Sequence, residues 1–177
     1  MDTDKNMESK KECSLEHSKE HSIEEKIVQN LDLSGYTITT AESCTGGLLA
    51  GRLINVPGIS KIYKEGYITY SNEAKEKLLC VSHDTLETYG AVSTQTAQEM
   101  ARGAAKAAGA DVALATTGIA GPDGGTPEKP VGLVYIGCFV NGKVFVEEHV
   151  FAGERSQVRN MSVEAALQLL AVVLSRE

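Results

Sequence analysis

The stretch Thr37-Ile38-Thr39-Thr40-Ala41-Glu42-Ser43-Cys44-Thr45-Gly46-Gly47 decides the fold. Its β-branched start reads as a strand over Thr37–Ala41. The strand breaks into a polar, glycine-bearing turn. Leu49, Leu53 and Val56 then recur on one face of a helix that Pro57 stops. Strand, turn and helix open a βαβ pattern that continues along the chain. Gly66–Tyr70 reads as a second strand, Asn72–Cys80 as a short helix, and Ser93–Ala108 as an Ala-rich helix ended by Gly109. Val112–Thr117 is apolar until its end, as a strand covered on both faces should be. Leu133–Val140 and Lys143–Phe151 flank Asn141-Gly142, a type I′ hairpin signal. A last helix runs from about Glu154 to Leu174. On the amino side, Ser22-Ile23-Glu24-Glu25 fits a capping box, and Ile27, Val28 and Leu31 stripe a first helix that ends near Gly35. This order predicts a three-layer α/β/α domain with a mixed sheet, because the hairpin forces one antiparallel strand.

The 177 residues amount to one domain at roughly 150 residues each. The 42% hydrophobic and 23% charged residues are the balance of a globular protein. A net charge of -7 gives nucleic-acid binding no support. No apolar run approaches the ~20 residues of a bilayer span, and Met1–Lys26 has no signal-like apolar core. The four cysteines (Cys13, Cys44, Cys80, Cys138) form no CxxC pair. A disulfide framework or metal knuckle is therefore not expected, and a reducing cytoplasm is. Residues 1–22 are polar with Leu15 as the sole large aliphatic, which reads as a flexible tail. His17 and His21 within it lack further ligands and read as solvated.

If the three strands before the hairpin are parallel, three polar clusters share one rim of the sheet, where open α/β sheets bind ligands. The first is Glu42-Ser43-Cys44-Thr45-Gly46-Gly47. Its glycines admit a ligand to the backbone, and the following helix aims unpaired N–H groups at a phosphate or an oxyanion. Ser43 or Thr45 is either a helix cap or a catalytic hydroxyl; Cys44 is either a rival nucleophile or a core thiol. The second, Tyr70-Ser71-Asn72, leads to Lys75, which shares a helical face with Leu79 and, nearly, Leu78. Desolvation there would lower its pKa toward that of a base, unless the side chain snorkels to water. Lys77 pairs instead with Glu73 and faces solvent. The third, Thr116-Thr117-Gly118, opens a Gly/Pro-rich loop to Pro130, which is either a ligand-contacting wall or a plain surface loop. Arg155 and Arg159 lie one turn apart near the last helix's N-terminus, suggesting a bound anion or a solvated basic face.

Ala41-Glu42-Ser43-Cys44-Thr45-Gly46-Gly47, Thr69-Tyr70-Ser71-Asn72-Glu73-Ala74-Lys75, Thr117-Gly118-Ile119-Ala120-Gly121-Pro122 and Gly153-Glu154-Arg155 resemble the CinA C-terminal domain family, over about Ile23 to the C-terminus. The resemblance implies a mixed, mostly parallel five-stranded sheet in a three-layer α/β/α sandwich, and a homo-oligomer, a dimer. It also implies a PncC-like nicotinamide-nucleotide amidase in pyridine-nucleotide recycling, needing neither cofactor nor metal. Such an enzyme converts nicotinamide mononucleotide to nicotinate mononucleotide and ammonia. The family's nucleophile falls on Ser43 and its lysine base on Lys75. Tyr70, Ser60, Thr117 (with Gly118 beside it) and Arg155 fall on site or substrate positions, and Arg159 on a second arginine. Proton transfer would run from Ser43 to Lys75, directly or through Tyr70, and N–H groups around Thr45, Gly46 and Gly47 would hold the oxyanion. Many relatives carry a molybdopterin-binding-like domain where this chain has its polar tail, and Gly153-Glu154-Arg155 often reads Gly-Asp-Arg in the family. Two other readings of the rim stay open: a non-catalytic nucleotide-binding or regulatory domain, and a Ser–Lys hydrolase of another small amide.

Overall fold

A computed structural model of the chain describes residues 21–176. The predicted tail falls almost wholly outside them, as do Cys13 and His17. Helix α1 (Ile23–Ser34) opens with the expected capping box, since Ser22 and Glu25 exchange side-chain-to-backbone hydrogen bonds. It ends on Gly35 at φ 70°, a conformation glycine adopts without steric penalty. There follow β1 (Ile38–Glu42), α2 (Leu48–Ile54), a single 3₁₀ turn at Ile59–Lys61, β2 (Tyr67–Ile68), α3 (Asn72–Leu79), α4 (His83–Tyr89) and α5 (Thr94–Ala108). Strands β3 (Val112–Gly118), β4 (Leu133–Val140) and β5 (Lys143–Val150) precede α6 (Arg155–Leu174).

The sheet order is β2-β1-β3-β4-β5. The β2–β1 and β1–β3 pairs are parallel, and the β3–β4 and β4–β5 pairs antiparallel. Four strands therefore point one way and only β4 opposes them, as the hairpin required. Its turn has φ 46° at Asn141 and 88° at Gly142, the two positive values of a type I′ turn.

Two hydrophobic clusters cover opposite faces of the sheet. One joins α1, α2 and α6 through Leu31, Leu49, Leu53, Leu167 and Leu170. The other joins α3, α4 and α5 through Leu79, Leu86, Met100, Ala101 and Ala104 to Ala41, Ala113 and Ala115. Small residues let α5 press close. A Cβ on Gly137 of β4 would sit 2.5 Å from the Ala97 carbonyl oxygen. The chain leaves β1 over one face to β2 and crosses the other face to β3. The carboxyl end of β1 is therefore the topological switch point, where such sheets bind ligands.

Three details depart from expectation. α2 stops at Ile54, capped by Asn55, because the residue before Pro57 is disfavoured in helical conformation. β2 keeps only two paired residues of the five predicted. α4 was not predicted; it is one short segment with a single buried residue, Leu86, and so shows no stripe. Among the described residues, no helix is long and apolar enough to cross a membrane.

Candidate active site

The register places Ser43 in the middle of the rim. Ser43 N–H donates to the Thr116 carbonyl and Thr69 N–H to the Glu42 carbonyl, both at 2.9 Å. Strand alternation then sends consecutive side chains to opposite faces. Glu42 points toward α2, and Ser43 toward α3.

On the α3 side, Lys75 Nζ donates to Ser43 Oγ at 3.2 Å and to the Thr69 carbonyl at 2.8 Å. Ser71 caps α3 by accepting from Ala74 N–H, which starts the helix one residue past the rim and brings Lys75 beneath it. Lys75 is only 1% exposed and heads the fully buried side chains by volume, so it does not snorkel. Burial lowers its pKa from 10.5 to about 8. Leu79 shares its buried face, whereas Leu78, placed near that face by spacing, is exposed. The 60° between positions 75 and 78 is enough to turn Leu78 out. Lys77 faces solvent as expected, but Glu73 turns back to Ser71 rather than pairing with it.

Cys44 separates from its neighbour in chemistry. Burial pushes its thiol up to about 11, so it is a protonated core residue at neutral pH rather than a thiolate nucleophile.

Glu42 was overlooked as an individual residue in the sequence, and it reorganises the first cluster. Its buried carboxylate accepts from Thr45 Oγ1 (2.7 Å) and from the N–H groups of Gly47 (2.9 Å), Leu49 (3.0 Å) and Ala50 (2.8 Å). Thr45 Oγ1 also meets Thr116 Oγ1 at 2.6 Å. The anion site at the N-terminus of α2 is thus filled by the protein's own carboxylate. This corrects two expectations. Gly47 N–H is not open to an oxyanion, and this helix end does not receive a phosphate. The Thr45 side chain is a buried brace; Glu42 leaves the N–H groups of the 44–46 turn untaken, and that of Leu48 goes to the Thr45 carbonyl. An acid just ahead of a helix N-terminus was the available signal.

Ser43, Tyr70, Lys75, Thr117, Gly118 and Arg155 line one recess of about 190 Å³, together with Cys44, Ala91, Val92 and Ala120. Arg155 donates to the Gly121 carbonyl (2.9 Å) and to Tyr70 Oη (3.1 Å), so both stand at the mouth rather than between Ser43 and Lys75. A second recess, of about 530 Å³, adjoins it across Ala120 and Arg155. Arg159 lies behind the site. Its Nε donates to the Cys44 carbonyl (3.0 Å) and an Nη to the Thr45 carbonyl (2.8 Å), which fixes the turn. Ser60 is not brought to this recess. It sits on the 3₁₀ turn whose next residues pair with Ile38, at the amino end of β1, the opposite end of the strand from Ser43.

Fold and site together define an α/β domain carrying a buried serine–lysine pair at the carboxyl ends of parallel strands. The chain belongs to the CinA family: the model of the CinA C-terminal domain matches residues 20–174. It is 56% identical over 151 residues to a CinA-like protein of Kosmotoga olearia, covering 85% of this chain and 37% of that one. The chain spans about two fifths of the length of the curated relatives it matches. Among solved structures, the competence/damage inducible protein CihA of Agrobacterium tumefaciens is 43% identical with a TM-score of 0.83, covering 86% of this chain and 93% of that one. A CinA superfamily protein of Klebsiella pneumoniae is 35% identical with a TM-score of 0.84, covering 88% and 97%.

Proposed function

We propose that the domain hydrolyses the carboxamide of nicotinamide mononucleotide to nicotinate mononucleotide and ammonia, a step of pyridine-nucleotide recycling. The observation that carries this reading is the buried Lys75 amine 3.2 Å from Ser43 Oγ with its pKa drawn to about 8. At pH 7.5 an ordinary lysine is neutral in about one molecule in a thousand; with a pKa of about 8 the neutral fraction is about one in four. That fraction can accept the serine proton.

Ser43 Oγ attacks the carboxamide carbon as its proton passes directly to Lys75 Nζ. N–H groups of the 44–46 turn face the developing oxyanion. The C–N bond breaks, Lys75 returns the proton to the leaving nitrogen, and ammonia departs. Water then attacks the acyl ester, its proton again taken by Lys75, and Ser43 is regenerated. Arg155, at the mouth, meets the substrate phosphate. The test is ammonia release from nicotinamide mononucleotide and from its riboside. Turnover favouring the nucleotide supports the reading. Binding without turnover points to a regulatory nucleotide-binding domain, and turnover of some other amide alone to a different substrate.

A further inference from the structure

The wall of the recess formed by Ala91 and Val92 belongs to the connector between α4 and α5. Each of the four consecutive carbonyls from Tyr89 to Val92 accepts a hydrogen bond from a side chain. Ser93 Oγ and Thr96 Oγ1 donate to the Gly90 carbonyl at 3.1 and 2.8 Å. Thr117 Oγ1, at the end of β3, donates to the Ala91 carbonyl at 2.7 Å. The remaining two are taken by one group: Lys129 Nζ donates to the carbonyls of Tyr89 at 2.6 Å and Val92 at 2.7 Å. Tyr89 ends α4, so its carbonyl lies at the negative end of that helix, where an ammonium is favoured.

Lys129 is itself fixed. Thr126 and Lys129 close a small turn, with Thr126 N–H donating to the Lys129 carbonyl (2.8 Å) and Lys129 N–H to Thr126 Oγ1 (3.0 Å). The loop between β3 and β4 is thereby pinned at two places, by Arg155 on the Gly121 carbonyl and by Lys129 on the connector. Its two limbs join three of the borders of the recess. Lys75 stands apart from this arrangement, on α3, with its own partners in Ser43 and Thr69.

We infer that Lys129 is a positioning residue for the amidase reaction: it acts through the Tyr89–Val92 connector to fix one wall of the recess and hence which substrate fits. The inference rests on the proposed amidase activity. Lys129 touches none of the reacting atoms. Its loss should therefore weaken substrate binding while leaving the Ser43–Lys75 chemistry intact.

Lys129→Met keeps the apolar stem and removes the ammonium; Lys129→Arg keeps a cation able to reach both carbonyls. Hydrogen exchange across residues 86–96 and 119–132 reads the clamp without substrate. Ammonia release from nicotinamide mononucleotide, followed against pH, reads its role in the reaction. For the methionine variant, two lost hydrogen bonds should raise exchange in both segments and KM about tenfold, with kcat within about threefold. The midpoint of the pH profile should not move, exchange in α6 should not change, and the arginine variant should recover most of the KM. Unchanged exchange, an unchanged KM, or a displaced midpoint overturns the inference. If the parent itself releases no ammonia, the amidase reading fails, and the positioning role fails with it; the exchange measurement still decides whether Lys129 holds the wall.

Discussion

Replacing Lys75 with methionine should make the protein more stable at neutral pH and less stable in alkali. Lys75 is 1% exposed, and burial holds its folded-state pKa at about 8 against an ordinary 10.5. A group depressed in this way binds fewer protons folded than unfolded. The folded state is therefore penalised below pH 8, and the penalty fades as pH rises toward 10.5. The gap corresponds to roughly 3 kcal/mol at pH 7 and below. Methionine has similar length and no charge, but it forfeits the hydrogen bonds to Ser43 and the Thr69 carbonyl, ~1 kcal/mol each. The variant should then be ~1 kcal/mol more stable than the parent at pH 7, equal to it near about pH 9, and ~2 kcal/mol less stable by about pH 10.5. Urea unfolding of both proteins at these three pH values measures it. Only the difference is read, because burial pushes Cys44 up to about 11 and Cys138 to about 12. Those raised thiols reduce the stability of both proteins alike above about pH 9. A difference that stays flat from neutral to alkaline pH would refute the claim that Lys75 is a depressed, buried amine.

The same pKa should appear in catalysis: ammonia release should rise with pH through a midpoint of about 8, with Lys75→Arg nearly inactive and Lys77→Arg like the parent. Ser43→Ala should abolish turnover, whereas Cys44→Ala, which removes a buried thiol, should retain most of the rate per folded molecule. Glu42→Gln leaves donors that faced a carboxylate oxygen facing an amide nitrogen; denaturant melts should show a loss of ~2–3 kcal/mol, and kcat should fall as the Ser43 turn loosens. Gly103→Ala would set a methyl group on the Leu79 carbonyl and force α5 off α3; a loss of ~2 kcal/mol, with a drop in activity from displaced Lys75, is the expected outcome.

What the sequence revealed follows the range of the forces involved. Elements set by local pattern were legible: the Ser22–Glu25 box, the Asn141-Gly142 turn and the Lys75–Leu79 face each depend on residues within one or two turns. The rim followed from one topological rule once strands and crossovers were in order. α4 escaped because seven residues burying one leucine carry no period. Lys129 escaped because its two carbonyl partners lie 40 and 37 residues earlier and are backbone atoms, which no side-chain pattern announces. Ser60 and Gly47 show the converse. The family resemblance carried Ser60 into the site and the strand–turn–helix junction carried Gly47, but chain direction takes Ser60 to the far end of β1, and the Glu42 carboxylate occupies the Gly47 N–H. Arg159 has the charge expected of an anion ligand and spends it on two carbonyls of the Ser43 turn.

The proposed amidase reaction requires that Ser43 become acylated by a carboxamide nucleotide with loss of ammonia. Acid-quenching the protein during turnover of nicotinamide mononucleotide, then digesting it for mass spectrometry, tests this most directly. The nicotinate mononucleotide acyl group should be found on the Ser43-bearing peptide in the parent and in Cys44→Ala, and not in Ser43→Ala. Ammonia release by Ser43→Ala at the parental rate, or an adduct carried by Cys44, would contradict it.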